Sequence, residues 1–218
     1  RLPLQPQSLP APPSDPSTTS ALKGLLFISE WGKDRKMDAS SNLTRKAHTF
    51  YNLAARSAPT NAADAEGTSL VGSQLALDLP GGEVHGLRSL GSSALDLVHC
   101  ASGSVDIMWE GAAWEWDVCA GLAILREAGG LCTDGNAPPQ GSKYWESGGV
   151  RLPPASLGGR RFLCVRPATA RPLLLASEEE KTAARDAQER IAREVWKRLH
   201  LQGLDYKREG AEYLMQQQ

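Results

Sequence analysis

The sequence predicts an α/β fold, and three observations carry that reading. Apolar runs of strand length occur at Leu22–Ser29, Val105–Trp109 and Arg161–Val165. Between and beyond them lie helical patterns, with apolar residues recurring at three- and four-residue steps. The changes from one pattern to the next fall at glycine and proline, the residues that punctuate regular structure.

Composition sets the outer limits. With 218 residues, a formal net charge of -1 and 41% hydrophobic residues, the chain suits one globular unit, or one and a fraction, rather than a disordered polymer. Near-neutral charge gives no reason to invoke nucleic acid or a membrane surface as partner. No apolar run approaches the roughly 20 residues a bilayer span needs. Arg1–Ser20 is proline-rich where a signal sequence needs an apolar core, so a cytoplasmic protein is expected. Cys100, Cys119, Cys132 and Cys164 are widely spaced, without a C-x-x-C, and each has apolar neighbours. Buried reduced thiols are expected rather than disulfides or a zinc site. The chain opens on Arg1-Leu2-Pro3-Leu4 without a methionine, and reads as a chain joined in progress.

Residues 1–21 form a proline-rich linker, in which Pro3, Pro6, Pro10, Pro12, Pro13 and Pro16 predict an extended, exposed segment. An α/β domain follows over residues 22–200. Its first run, L-K-G-L-L-F-I-S at Leu22–Ser29, is brief and is followed by Gly32, which fits a buried strand. Glu30–Arg35 leaves that strand as a charged loop. Ligands of open α/β sheets sit at such carboxyl ends, so Lys33 or Arg35 either meets an anion or belongs to a solvated charge run. From Ser41 to Ala58, the positions Leu43, Ala47, Phe50, Leu53, Ala54 and Ala58 describe an amphipathic helix. Pro59–Gly67 is a break, Ser69–Leu79 is a strand or buried loop, and Glu83–Leu90 is a strand. Gly91-Ser92-Ser93 then opens a helix over Ala94–Ala101 with Ser92 or Ser93 as its cap. The free N–H groups and positive dipole end at such a start favour an anion, unless the serine is an ordinary N-cap.

Val105–Asp134 concentrates the chemistry. An apolar strand hands over to an acidic aromatic segment, and Asp117 stands before a helix carrying Val118, Leu122, Ile124, Leu125 and Ala128 that Gly129-Gly130 stops. Asp117 caps that helix by accepting the N–H of Cys119 or Ala120. Alternatively, its second oxygen serves Mg²⁺, a hard cation that takes oxygen ligands and needs more than one carboxylate. Glu110, seven residues earlier at the strand end, faces the same pocket or solvent, and Trp109, Trp114 and Trp116 read as packing residues. Residues 136–159 are rich in proline and glycine and carry little signal. Arg161–Val165 is a strand, and Ser177-x-x-Glu180 has capping-box spacing before a helix to about His200 whose stripe is Ile191, Val195, Trp196 and Leu199. Asp186–Arg190, Glu189–Arg193 and Glu194–Arg198 are acid-before-base pairs that predict a solvated face. Residues 201–218 are expected to be a frayed tail.

The run W-E-W-D-V-C-A-G-L-A-I-L-R-E-A-G-G resembles the C-terminal signature of the inositol monophosphatase family, in which W-D, a small pair, G and E-A-G-G follow at these intervals. V-H-G-L-R-S-L-G-S-S-A-L-D-L and S-G-S-V-D-I-M-W-E are similar to the family in order and spacing, and E-W-G-K-D-R looks most like its fungal members, including those of quinate-use clusters. The similarity covers roughly residues 1–200 and is strongest over 84–134. It implies the C-terminal part of a layered α/β/α/β/α fold. It also implies a Mg²⁺-dependent phosphomonoesterase in which metal-activated water attacks phosphorus in line. Residue by residue, it implies Asp117 as a metal ligand near the leaving oxygen and Glu110 as a hydrogen-bond partner of the polyol ring. It places Gly91, Ser92 and Ser93 at the helix start beside the substrate. Inositol phosphate is the implied substrate, and a homodimer the implied assembly of the complete protein.

The chain departs from the family pattern in one respect. An upstream G-E-E or similar glutamate and a D-P-[IL]-D-G-[TS] segment, the family's other metal and phosphate elements, do not occur; Asp134-Gly135-Asn136 lacks the preceding D-P-x, and Glu178-Glu179-Glu180 opens a helix in a different context. The expectation is a C-terminal half, inactive alone because one carboxylate is too weak a lure for hydrated Mg²⁺. Without a partner layer it is also prone to self-association. The alternatives are a non-catalytic interaction or dimerisation domain that has lost its metal half, and a phosphatase for bisphosphate nucleotides or sugar phosphates.

Overall fold

Strands with apolar side chains on both faces need a cover on each side, and this chain supplies two. The computed structural model describes residues 7–16, 19–55, 81–146, 148, 150–169 and 171–206. Five strands, β1 (Leu26–Ile28), β2 (Gly86–Arg88), β3 (Ile107–Gly111), β4 (Leu131–Asp134) and β5 (Arg161–Val165), form one sheet in the order β2-β1-β3-β5-β4. β1 is parallel to both β2 and β3, whereas β5 is antiparallel to both β3 and β4. The helices are α1 (Asn42–Ala54), α2 (Ser93–Ser102), α3 (Glu115–Glu127) and α4 (Glu178–Trp196).

Alternation along the strands sorts the core into two halves. Phe27, Ile107, Trp109, Leu131, Leu163 and Val165 meet Leu53 of α1 and Ile191, Val195 and Trp196 of α4 on one face. Ile28, Met108, Cys132, Phe162 and Cys164 meet Leu97 and Cys100 of α2 and Val118, Leu122 and Leu125 of α3 on the other. The result is an α/β/α sandwich, the α/β class expected. Each fully buried large apolar side chain contributes about 1.5–3 kcal/mol.

Several elements differ from expectation. β5 matches its predicted bounds, but β1 is shorter than Leu22–Ser29 because Leu22 and Lys23 are taken into turns closed by Lys23 N–H to Ser20 O (3.2 Å) and Leu25 N–H to Leu22 O (3.0 Å). α1 stops at Ala54, and the predicted segments Pro59–Gly67 and Ser69–Leu79 lie outside the described residues. β4 was not anticipated; it pairs Cys132 with Cys164 and Asp134 with Phe162. Cys100, Cys132 and Cys164 are buried free thiols, but Cys119 is exposed on α3.

The capping box of α4 is complete: Glu180 N–H donates to Ser177 Oγ (3.2 Å) and Ser177 N–H to Glu180 Oε2 (2.7 Å). Its charged face is not solvated as expected. Gln188, Glu189, Arg193 and Arg198 are buried. Glu189 Oε1 accepts the N–H of Leu152 (3.1 Å), Arg193 Nε donates to Tyr144 O (2.8 Å), and Asp186 pairs with Arg151 rather than Arg190. The irregular segment around residues 144–152 lies over the helix, and the helix's charges satisfy backbone groups that have no sheet or helix partners.

The ends are also more ordered than predicted. Leu9 is buried in the core, Arg166 Nη1 takes the Gln7 carbonyl (2.6 Å), and Arg190 takes that of Pro10, so the proline-rich segment is anchored at these points while most of its described residues are exposed. Beyond Gly203, Leu204 is buried, and Asn42 exchanges two 2.8 Å bonds with the Asp205 backbone. Fraying is therefore absent as far as Tyr206, and residues 207–218 lie outside the described set. No helix among the described residues is long and apolar enough to cross a membrane.

Candidate functional site

β1 and β3 are parallel neighbours, so their carboxyl ends emerge side by side. Glu30, just past β1, and Glu110, within β3, meet there. Glu110 Oε2 accepts the Glu30 N–H (3.0 Å), and Oε1 accepts the Gly111 N–H (2.8 Å) and faces Lys46 Nζ of α1 at 3.4 Å. Lys46 also donates to the Glu30 carbonyl. The Lys46 and Glu110 side chains are 0% and 3% exposed. Burial works against both charges, lifting the Glu110 carboxyl above its usual range and lowering the Lys46 ammonium, and each charge offsets part of the other's cost.

Glu30 turns its carboxylate onto the segment that leads into α2. Its Oε1 accepts the N–H groups of Leu90 (2.6 Å) and Gly91 (2.8 Å), and its Oε2 accepts the Ser89 hydroxyl (2.7 Å). Partial burial opposes ionisation, yet Ser89, the Gly91 and Leu90 amides and Asp96 hold Glu30 below the usual carboxylate range. Gly91 has φ 82, a left-handed conformation that a side chain would strain. Ser92 is the N-cap, its Oγ accepting the Leu95 N–H at 3.4 Å, and Ser93 is the first helical residue. The structure thus ties Glu110 to Gly91 and to the cap of α2 through Glu30. The two amides just ahead of the cap, those of Leu90 and Gly91, already donate to a carboxylate from within the chain. Lys33 and Arg35 are exposed.

Asp117 is placed differently from expectation. α3 begins at Glu115, so Asp117 is its third residue, and its Oδ2 accepts the Trp114 N–H (2.9 Å) rather than those of Cys119 or Ala120. A carboxylate three residues past the cap reaches back naturally, as the acidic half of a capping box does. Asp117 is exposed, and its Oδ1 takes no hydrogen bond among the described residues. No hydrogen bond among the described residues joins it to the Glu30–Glu110 group. Trp109 packs as expected, donating its indole N–H to Gly135 O (2.6 Å). Trp116 does not: it is 71% exposed, stacked at 5.2 Å on Trp114, whose ring has the Arg160 guanidinium 3.7 Å away.

The model described as the inositol monophosphatase family matches residues 17–200. The chain belongs to the inositol monophosphatase family. It is 44% identical over 211 residues to quinic acid degradation cluster protein x of Neurospora crassa, covering 97% of this chain and 50% of that protein. To protein qutG of Emericella nidulans it is 40% identical over 197 residues, covering 90% and 49%. To inositol monophosphatase 2 of Saccharomyces cerevisiae it is 36% identical over 115 residues, covering 53% and 32%. The chain spans about half the length of the curated relatives it matches first. The family is one of phosphatases that act on phosphorylated polyols and generally depend on Mg²⁺.

Magnesium demands near-octahedral oxygen ligation, usually from more than one carboxylate. Among the described residues of this family member, no three His, Cys, Asp or Glu side chains come together to hold a metal. Both Glu110 oxygens already receive hydrogen bonds, which leaves Asp117 as a lone exposed candidate. The described residues by themselves do not fit the ion.

Glu30, Lys46 and Asp96 were missed as members of this site. Lys46 left a trace in the sequence: it lies three residues after Leu43 and four before Phe50, on the apolar side of α1. Glu30 and Asp96 left none beyond their places at a strand end and a helix start.

Proposed function

We propose that this chain supplies the substrate-side half of a Mg²⁺-dependent phosphomonoesterase that converts an inositol phosphate to inositol and phosphate. Glu110, buried with both oxygens bonded, backs the polyol side of the site through Glu30, Gly91, Ser92 and Ser93 line the substrate at the start of α2, and Asp117 is one carboxylate of a metal site whose other ligands come from sequence outside this chain. The observation that supports the reading is the connection Lys46–Glu110–Glu30–Gly91, buried at Lys46–Glu110 and exposed at Gly91, which gathers the proposed substrate residues at the carboxyl ends of β1 and β3. Ligands of α/β sheets bind at such carboxyl ends. The complete enzyme is proposed to be a cytoplasmic homodimer. Four free cysteines suit a reducing compartment. The exposed apolar residues Leu95, Val98 and Ile124 leave α2 and α3 with surface to cover.

Asp117 tests the reading. In a chimera that joins this chain to the N-terminal half of the yeast relative, Asp117→Asn is expected to lower turnover of inositol 1-phosphate by about 100-fold or more. Its circular dichroism and melting temperature should match those of the parent chimera. Near-normal turnover would return Asp117 to a helix-capping role and favour a non-catalytic domain.

A further inference from the structure

The chain beyond α4 returns to the carboxyl ends of β1 and β3 and is fastened there. Asn136 accepts the Leu204 N–H on Oδ1 (2.8 Å) and donates its own amide to the Leu204 carbonyl (2.9 Å). Asn42 does the same for Asp205, at 2.8 Å in each direction, and Arg45 Nη1 donates to the Gly203 carbonyl (3.0 Å). Two side-chain amides thereby serve residues 204 and 205 as a neighbouring strand would. Tyr206, the next residue, has no such tie. No hydrogen bond among the described residues reaches it, and its hydroxyl is buried without a partner. Its ring is held by shape instead. A Cβ on Gly111 would lie 2.4 Å from Tyr206 Cε2, and one on Gly32 would lie 3.1 Å from the Tyr206 hydroxyl and 3.8 Å from Lys46 Nζ. Gly111 directly follows Glu110 and donates its N–H to that carboxylate. Glycine at these two positions admits the ring beside the Lys46–Glu110 pair, whose side chains are 0% and 3% exposed.

We propose that Gly203–Tyr206 is a strap with a fixed stem and a swinging end, and that the Tyr206 ring is the latch that shuts the Lys46–Glu110 pair away from water. Placing the pair behind a polyol site rests on the phosphatase reading above; the latch does not. Opening the latch breaks no hydrogen bond among the described residues and returns to water a hydroxyl that burial leaves unsatisfied. The cost of opening is therefore lost apolar contact, part of which the rehydrated hydroxyl offsets. The stem stays in place, because its ties run to Asn42 and Arg45 of α1 and to Asn136 after β4. The ligand that suits the open latch is one rich in hydroxyl groups, which can pair the phenol O–H that the closed state leaves alone.

Acetylation of the 218-residue chain with acetic anhydride, followed lysine by lysine with mass spectrometry, tests the latch without any substrate. Lys46 is expected to react far more slowly than the exposed Lys33. Tyr206→Ala should speed Lys46 by about 10-fold or more and leave Lys33 unchanged, because only the local opening is affected. Gly111→Ala keeps the tyrosine but puts a methyl where its ring lies, and should expose Lys46 in the same way. Tyr206→Phe keeps the ring and removes the unpaired hydroxyl, so Lys46 should stay protected while the melting temperature rises by about 2–4 °C. Unchanged Lys46 labelling in a Tyr206→Ala chain with native circular dichroism, or a melting temperature of Tyr206→Phe equal to or below the parent's, overturns the proposal. Failure of phosphate release in the chimera would instead sink the phosphatase reading and leave this labelling unaffected.

Discussion

Lys46 shows how much of this molecule is decided by single buried side chains. Its ammonium is the only cation within hydrogen-bonding range of Glu110 among the described residues, and both side chains are inaccessible to water. Lys46→Met leaves Glu110 as an uncompensated buried charge and is expected to cost about 3–5 kcal/mol in urea unfolding. The double variant Lys46→Met with Glu110→Gln removes both charges and should recover most of that loss. A single variant as stable as the parent would show that the pair is solvated. Glu110 and Asp117 could be named from the sequence because they belong to one short signature. Glu30 and Lys46 were not, because their contacts with Glu110 join residues 80 and 64 positions apart. Composition and periodicity carry no record of a pairing that only the sheet creates.

The elements repeat that contrast. α4 and β5 were readable because a capping box and a five-residue apolar run are local signals. The burial of Glu189 and Arg193 was not, because it depends on what lies over the helix. The start of α3 lies three residues earlier than expected, since Asp117 satisfies the helix from its third position rather than from its cap. Between α2 and α3 the spacing is set by Gly121, where an added Cβ would lie 2.7 Å from Leu97 Cβ. Alanine favours a helix over glycine by about 1 kcal/mol, but a clash at that distance forces the two helices apart. Gly121→Ala is therefore expected to destabilise by about 1–3 kcal/mol. An equal or higher denaturation midpoint would show that the helix pair yields.

At the scale of the whole molecule, the α/β class was foreseen, with its layering given only as what the family resemblance implies, and that resemblance rested on the signature over Trp114–Gly130. The family match over residues 17–200 bears out that resemblance. The five-layer arrangement implied by the resemblance is represented here by three layers, in a chain that spans about half of its relatives. Glu110, Glu30 and the segment leading into α2 lie together at the carboxyl ends of β1 and β3, the proposed polyol side. Hydrolysis needs further carboxylates for the metal. The most direct measurement is release of inorganic phosphate from inositol 1-phosphate, with and without Mg²⁺, by the 218-residue chain alone and by the chimera. None is expected from the chain alone, and Mg²⁺-dependent release from the chimera. Robust Mg²⁺-dependent release from the chain alone, or none from a soluble, folded chimera, would contradict it.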